Sequence, residues 1–185
     1  MILVIGPTRS GKSEWAEHLA GETGKTVTYV ATAQIDPGDR DWIERIAQHR
    51  RRRPPEWQTL EIPVELSPII RASEASGCLL VDSLGTWVAN LLSEDDFAWE
   101  KTCFELFASL EVAAGEIIFV AEETGWGVVP AYASGRKFRS RLGRLVRELG
   151  ARAESVYLVT GGMVLNLTSL GIPLPTRQPG VNNSW

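Results

Sequence analysis

Short apolar runs alternate along the chain with longer segments of helical periodicity. The runs predict β-strands at residues 2–5, 26–31, 77–81, 116–121 and 155–160. The longer segments predict helices at residues 12–20, 41–51, 84–92, 96–114 and 135–151. Most of the runs lack polar alternation, which is typical of parallel strands that are covered on both faces. The pattern therefore predicts an α/β fold in which helices flank a mostly parallel sheet.

The pattern weakens toward the end of the sequence, where residues 171–183 are rich in glycine, proline and asparagine. We therefore predict one domain at residues 1–173 and a loose tail at residues 174–185. The length of 185 residues is that of one ordinary domain. A chain of this size can bury a core without disulfides or a structural metal.

The composition is that of a soluble globular protein, with 44% hydrophobic and 23% charged residues. A net charge of -4 argues against a general binder of nucleic acid or membrane surfaces, and the apolar runs fall far short of the roughly 20 residues of a membrane span. The first five residues lack a basic segment and a cleavage site, so they predict a strand and not a signal peptide. Cys78 and Cys103 fit no metal-binding or CxxC spacing, so we expect free thiols, a cytoplasmic protein, and Cys78 in the core.

A complete phosphate-binding sequence follows the first predicted strand and opens the first predicted helix. Its residues are Gly6, Pro7, Thr8, Arg9, Ser10, Gly11, Lys12 and Ser13. Glycines allow backbone angles that other residues resist, so successive N–H groups can point at phosphate oxygens. We expect Lys12 to reach the β- and γ-phosphates of ATP or GTP and the Ser13 hydroxyl to hold Mg²⁺. The alternative is an ordinary Gly-rich turn, but the strand and helix on either side favour a P-loop NTPase-type domain.

A P-loop requires an acidic residue for its magnesium ion, at the end of a neighbouring buried strand. Asp82 directly follows the apolar run at residues 77–81 and fits this position. The alternative is that Asp82 or Ser83 caps the helix predicted to begin at Leu84. We favour the metal role because the P-loop already calls for such a residue.

A histidine and four arginines stand together at the end of the helix predicted at residues 41–51. Each has a structural alternative: His49 would close an apolar stripe with Trp42 and Ile46, and the arginines would offset the helix dipole. The arginines are Arg50, Arg51, Arg52 and Arg53. In a chain that binds a nucleoside triphosphate, an imidazole beside phosphate-binding guanidinium groups predicts phosphoryl or nucleotidyl transfer. The other histidine, His18, is expected to pack or to lie on the surface.

Further blocks of residues follow in a fixed order from Met1 to about Pro173. Beside the P-loop they are residues 29–34, Arg45 and Ile46 with His49, Arg53 and Pro54, residues 57–61, Asp82 with Trp87 and residues 90–92, residues 123–130, and residues 138–139 with 143–145. In these blocks the chain resembles the bifunctional adenosylcobinamide kinase and adenosylcobinamide-phosphate guanylyltransferases of cobalamin biosynthesis. Two residues depart from the family pattern, because Glu122 stands where asparagine is usual and Thr124 where valine is usual.

The resemblance implies a transferase with two activities and a corrinoid substrate. It would phosphorylate adenosylcobinamide and then transfer GMP from GTP to adenosylcobinamide-phosphate, with the guanylyl group carried on His49. GTP, ATP or both would be substrates with Mg²⁺, and the protein would be a homotrimer. The resemblance also implies nucleotide contacts at Ala31, Thr32, Ala33, Arg50, Arg51, Arg52, Arg53, Glu61 and Asp82.

Two other functions fit the P-loop. One is a kinase of another small hydroxylated metabolite in which His49 is structural, so His49→Ala would keep full kinase activity and GTP labelled at the α-phosphate would leave no label on the protein. The other is a nucleotide-dependent switch ATPase, which would have a partner surface and no metabolite acceptor.

Overall fold

A computed structural model describes residues 1–34, 38, 44 and 50–175 of the 185 residues. The strands are β1 (Ile2–Gly6), β2 (Thr26–Ala31), β3 (Gln58–Glu61), β4 (Gly77–Asp82), β5 (Glu116–Glu122), β6 (Ser155–Thr160) and β7 (Met163–Asn166). The helices within the described ranges are α1 (Lys12–Glu22), α2 (Leu66–Arg71), α3 (Leu84–Asn90), α4 (Asp96–Val112), α5 (Ala133–Gly150) and α6 (Leu167–Leu170).

The five predicted strands are confirmed, and four of the predicted helices end within two residues of the predicted positions. The helix predicted at residues 41–51 falls mostly outside the described residues. The short elements β3, β7, α2 and α6 were not predicted. β3 and β7 have four residues each and lie at the two edges of the sheet, where a strand is exposed and needs no continuous apolar run.

The seven strands form one sheet in the order β3-β2-β4-β5-β1-β6-β7. All neighbouring strands are parallel except β6 and β7, which confirms the mostly parallel sheet. The P-loop strand β1 lies between β5 and β6, so β5 separates it from β4. Three carboxyl ends, those of β1, β5 and β4, therefore stand side by side at one edge.

Alternate side chains of the central strands enter two separate apolar layers. In β4, Leu79 and Val81 pack on one face of the sheet, whereas Cys78 and Leu80 pack on the other. Cys78 is fully buried, as predicted, and burial raises the pKa of its thiol to about 11. The absence of polar alternation in the sequence thus reflects helices on both faces.

Helix α5 covers one of these faces with Leu142, Leu145 and Leu149. Arg141, which belongs to the basic residues of this helix, is buried and donates hydrogen bonds to the carbonyl oxygens of Leu91 and of the two residues before α4. That arginine therefore fixes the connection between α3 and α4 rather than facing solvent. In the part of the chain that the structure describes, no helix is both long and apolar enough to cross a membrane.

Candidate nucleotide site at the carboxyl edge of the sheet

The register of the sheet brings several of the predicted site residues to one edge. Gly6 of β1 lies opposite Glu122 of β5. Ala31 of β2 lies opposite Glu61 of β3 on one side and opposite Asp82 of β4 on the other. In parallel sheets with helices on both faces, ligands bind outside the carboxyl ends of the strands. The edge that carries these residues is therefore the candidate nucleotide site.

The P-loop has the backbone that its glycines predict. Gly11 has a φ of 92°, in the left-handed region, and α1 begins at the next residue. Gly6 is required for a different reason, since a Cβ there would overlap the carbonyl oxygen of Val159 in β6 and crowd the Ser10 hydroxyl. The loop thus turns sharply between β1 and α1, with the positive end of the helix directed at the loop.

Gly6→Ala tests how tightly the loop is held. Its Cβ collides with backbone, so the loop must shift, and overpacking of this kind costs roughly 1–3 kcal/mol of stability. We expect the dissociation constant for GTP to rise about tenfold or more, measured by isothermal titration calorimetry. Gly21→Ala is the control, because a Cβ at this position of α1 meets nothing within 4 Å. Equal affinity in the two variants would contradict the close packing at Gly6.

Lys12 is buried where a phosphate would bind. Its side chain is 6% exposed, and its Nζ lies 3.7 Å from Oε1 of Glu122, whose side chain is 24% exposed. Oε2 of Glu122 is buried and has no hydrogen-bond partner among the described residues. It lies against Gly85 of α3, where any side chain would overlap it. The absence of a side chain at residue 85 therefore makes room for Glu122 beside the lysine.

Glu122 was noted in the sequence only as a departure from the family pattern, and its place in the site was missed. The available signal was an acidic residue directly after a buried strand. That signal also describes Asp82, and local pattern does not show which strands neighbour β1.

Asp82 is held by a tyrosine from the neighbouring strand. The hydroxyl of Tyr29 donates to Oδ2 of Asp82 at 2.7 Å, and the guanidinium carbon of Arg53 lies 3.2 Å from the centre of the Tyr29 ring. Ser83, and not Asp82, caps α3, because its hydroxyl accepts from the backbone N–H of Thr86 at 3.3 Å. The capping alternative therefore applies to Ser83 and leaves the Asp82 carboxylate available.

Burial, reinforced by the Asp82 carboxylate, raises the pKa of Tyr29 well above its ordinary value. In the unfolded chain this hydroxyl ionises at about pH 10, so between that pH and the higher folded pKa the unfolded state releases a proton that the folded state keeps. The contribution of the neutral Tyr29 hydroxyl to the free energy of unfolding is fully present below about pH 10, and it is lost as the pH rises through the folded pKa. We expect the free energy of unfolding, from urea titrations at pH 8 to 11, to fall more steeply in the wild type than in Tyr29→Phe. Parallel curves would contradict this.

Thr32 joins the ends of two strands. Its hydroxyl donates to the carbonyl oxygen of Ser83 at 2.7 Å and accepts from the Ser83 N–H at 2.9 Å. The side-chain amide of Asn90 donates to the Thr32 carbonyl oxygen at 2.8 Å. These contacts give Thr32 a structural role, and the nucleotide contact expected of Thr32 and Ala33 stays a prediction.

The arginine run lies beside the helix that follows the P-loop. Arg52 donates to Glu17 of α1 at 2.8 Å and to Glu14 at 3.0 Å. Arg50 forms an ion pair with Glu61, so two residues expected to contact nucleotide contact each other here. Arg51 is exposed. His49, the predicted nucleophile, lies outside the described residues.

The two predicted magnesium ligands fit a P-loop ion. Ser13 is in the first turn of α1. Asp82 has one oxygen bonded to Tyr29, and its Oδ1 has no hydrogen-bond partner within the described ranges. No group of three or more His, Cys, Asp or Glu side chains among the described residues could hold a metal by itself. The magnesium role of Ser13 and Asp82 therefore stays a prediction.

At the carboxyl edge of the parallel sheet, β1 leads through a loop with a left-handed glycine into a helix whose first residue is a buried lysine. This combination defines a P-loop nucleotide-binding protein. Residues 2–167 match the family described as cobinamide kinase / cobinamide phosphate guanyltransferase, and the chain belongs to this family. It is therefore a transferase of cobalamin biosynthesis, as the sequence blocks predict.

The alignments with curated relatives span most of this chain and nearly the whole length of each relative. The chain is 43% identical over 169 residues to the bifunctional adenosylcobalamin biosynthesis protein CobP of Pseudomonas aeruginosa, covering 89% of this chain and 95% of that protein. It is 35% identical over 178 residues to the bifunctional adenosylcobalamin biosynthesis protein CobU of Escherichia coli, covering 88% and 97%. Among solved structures, the RadB recombinase aligns over 85% of this chain and 72% of its own, at 16% identity and a TM-score of 0.42, which is too distant to support a conclusion.

Proposed function

We propose that this protein catalyses two successive reactions: phosphorylation of adenosylcobinamide by ATP or GTP, and transfer of GMP from GTP to adenosylcobinamide-phosphate through a guanylylated His49. The observation that carries the proposal is the buried Lys12 at the start of α1, beside Glu122 and at the edge that also carries Asp82. The membership of the family and the names of the relatives supply the substrate class.

In the kinase reaction, the P-loop N–H groups and Lys12 bind the β- and γ-phosphates. The Lys12 side chain is only 6% exposed, so little water screens its attraction for the charge that develops on the transferred phosphoryl group. Ser13 and Asp82 would hold Mg²⁺, which neutralises phosphate charge when it is bound.

In the guanylyl transfer, a ring nitrogen of His49 attacks the α-phosphorus of GTP, and pyrophosphate leaves with the electrons of the broken P–O bond. A phosphate oxygen of adenosylcobinamide-phosphate then attacks the same phosphorus and releases the histidine. The arginine run supports this step because Arg52 is tied to α1, the helix that begins at Lys12. Each guanidinium group can bind two phosphate oxygens at once, so the arginines would hold the triphosphate in place.

We also propose that the protein works as a cytoplasmic homotrimer whose site is completed by a neighbouring subunit, as the resemblance implies. A sedimentation equilibrium mass of three times 20.4 kDa would support the trimer, and the monomer mass at working concentration would contradict it.

The two reactions are tested separately. The purified protein is incubated with Mg²⁺ and GTP labelled at the α-phosphate and then denatured; we expect a label that is stable in base and labile in acid, as for a phosphorus–nitrogen bond to histidine. GTP or ATP labelled at the γ-phosphate is expected to label adenosylcobinamide. Absence of the protein label under turnover conditions would overturn the covalent mechanism, and absence of labelled corrinoid would overturn the kinase reaction.

A further inference from the structure

A cavity of about 570 Å³ lies between the segment that follows β5 and helix α5. One wall is the segment at residues 123–130. The other is a face of α5 on which Arg136, Arg139, Gly143 and Arg147 recur at helical spacing. The volume lies in the range of about 300–1,000 Å³ that is usual for small-molecule sites.

The first wall is tied to the helix by two arginines. Arg139 donates to the carbonyl oxygens of Gly125 and Gly127, and Arg136 donates to that of Pro130 at 3.1 Å. Both arginines line the cavity, so these bonds join its two walls. The cavity is therefore a built feature of the fold and not a gap under an unattached loop.

The helical wall is open at its middle and charged at one end. A Cβ at Gly143 would meet nothing within 4 Å, so a ligand can approach the backbone of α5 there. Arg147 is exposed, and its guanidinium has no hydrogen bond or ion pair to any described residue, although Arg144 on the same helix pairs with Glu100 and Glu148. A guanidinium without a protein partner at the cavity wall suits a ligand with oxygen acceptors, such as amide or phosphate groups.

Glu122 connects this cavity to the P-loop. It lines the cavity, and its Oε1 is 3.7 Å from Nζ of Lys12. A γ-phosphate bound by Lys12 would therefore lie beside this carboxylate. Phosphoryl transfer to an alcohol requires the hydroxyl oxygen to be held in line with that phosphate. A molecule in the cavity would present its hydroxyl group at this place.

We propose that the cavity binds the hydroxyl-bearing arm of the acceptor alcohol in the kinase reaction, with a Glu122 oxygen accepting a hydrogen bond from the hydroxyl group, as the amide oxygen of the family's usual asparagine also can. This inference rests on the proposed function. The alcohol oxygen forms a bond to the γ-phosphorus, the bond from that phosphorus to the β–γ bridging oxygen breaks, and the nucleoside diphosphate leaves with its electrons. The hydroxyl proton passes to an oxygen of the transferred phosphoryl group.

The remainder of a corrinoid would lie outside the cavity, against the same wall. Trp126 and Val128 belong to the segment at residues 123–130 and are 68% and 95% exposed. Large apolar side chains exposed together on one segment mark a surface that another molecule covers. A large, partly apolar acceptor whose arm enters the cavity would cover them.

The cavity is tested by filling it. Gly143→Leu places a side chain in open space and replaces a helical glycine with a stronger helix former, so the protein is expected to fold. We expect the KM for adenosylcobinamide to rise roughly tenfold or more, with the KM for the nucleotide unchanged. Gly21→Leu is the matched control on α1, where the added side chain also meets nothing within 4 Å and the KM should not change.

The contact of Glu122 with the hydroxyl group is tested on β5. Glu122→Leu removes the acceptor oxygen and is expected to raise the KM for adenosylcobinamide roughly tenfold, whereas Glu122→Gln keeps such an oxygen and should stay near the wild-type KM. Glu116→Leu is the matched control: Glu116 lies at the other end of β5, its side chain is 27% exposed, and it pairs with Lys25 at 3.5 Å. It should leave the KM for adenosylcobinamide unchanged.

The outcomes separate this inference from the proposed function. If the wild type phosphorylates adenosylcobinamide and Gly143→Leu has a normal KM for it, the cavity is not the acceptor site. If that variant instead changes only the sedimentation mass, the cavity is a contact between copies of the chain and the inference is overturned. An unchanged KM for adenosylcobinamide in Glu122→Leu overturns the contact between Glu122 and the hydroxyl group. A wild type that leaves adenosylcobinamide unphosphorylated overturns the proposed function, and this inference with it.

Discussion

His49→Ala is expected to keep phosphorylation of adenosylcobinamide and to lose guanylyl transfer by at least about 10⁴-fold, as happens when a covalent nucleophile is removed. The reason is that no other group in the proposed reaction takes the guanylyl group, whereas the kinase reaction uses the P-loop. The measurement is the pair of assays with label at the α- or the γ-phosphate, made on the same preparation.

The control is His18→Ala. His18 is exposed on α1, with its ring 5.0 Å from that of Trp15, and it has no proposed role in either reaction. It should retain label from the α-phosphate at the wild-type level. Label retained by His49→Ala, or lost from His18→Ala, would place the covalent intermediate elsewhere. Equal loss of both activities in His49→Ala would indicate a structural role instead.

Lys12→Met is expected to lower kcat/KM of the kinase reaction by about 10³-fold, the scale of losing one group that stabilises the charge of the transition state. The methionine preserves the apolar stem of the side chain but not its charge. Without the lysine, the partly buried carboxylate of Glu122 has no ion-pair partner, so the free energy of unfolding should also fall. Steady-state kinetics and urea titrations measure the two effects.

Two further variants separate catalysis from stability in this experiment. Lys12→Met combined with Glu122→Gln removes the unpaired charge, so stability should recover while kinase activity does not. Lys25→Met is the matched control, since it breaks the ion pair with Glu116 at the opposite end of β5. Kinase activity near the wild-type level in Lys12→Met would contradict the P-loop mechanism.

The strongest sequence predictions were those that depend on neighbours along the chain. The five central strands follow from unbroken apolar runs, because each face of the sheet is covered by helices. The P-loop follows from glycines that are needed for local reasons, a left-handed φ at Gly11 and a close approach at Gly6. The edge strands β3 and β7 have no such signal because their exposed positions accept polar and apolar residues alike.

The arrangement around the phosphates needed the tertiary structure. The strand order places β5 between β1 and β4, and only this order brings Glu122 to Lys12. The contact of Tyr29 with Asp82 joins residues 53 positions apart. Such contacts are set by which strands pair, and pairing depends on packing between distant segments rather than on local periodicity. The sequence by itself thus determined the parallel α/β fold, the phosphate loop and the family, whereas the tertiary structure decided what surrounds the lysine and where a cavity meets it.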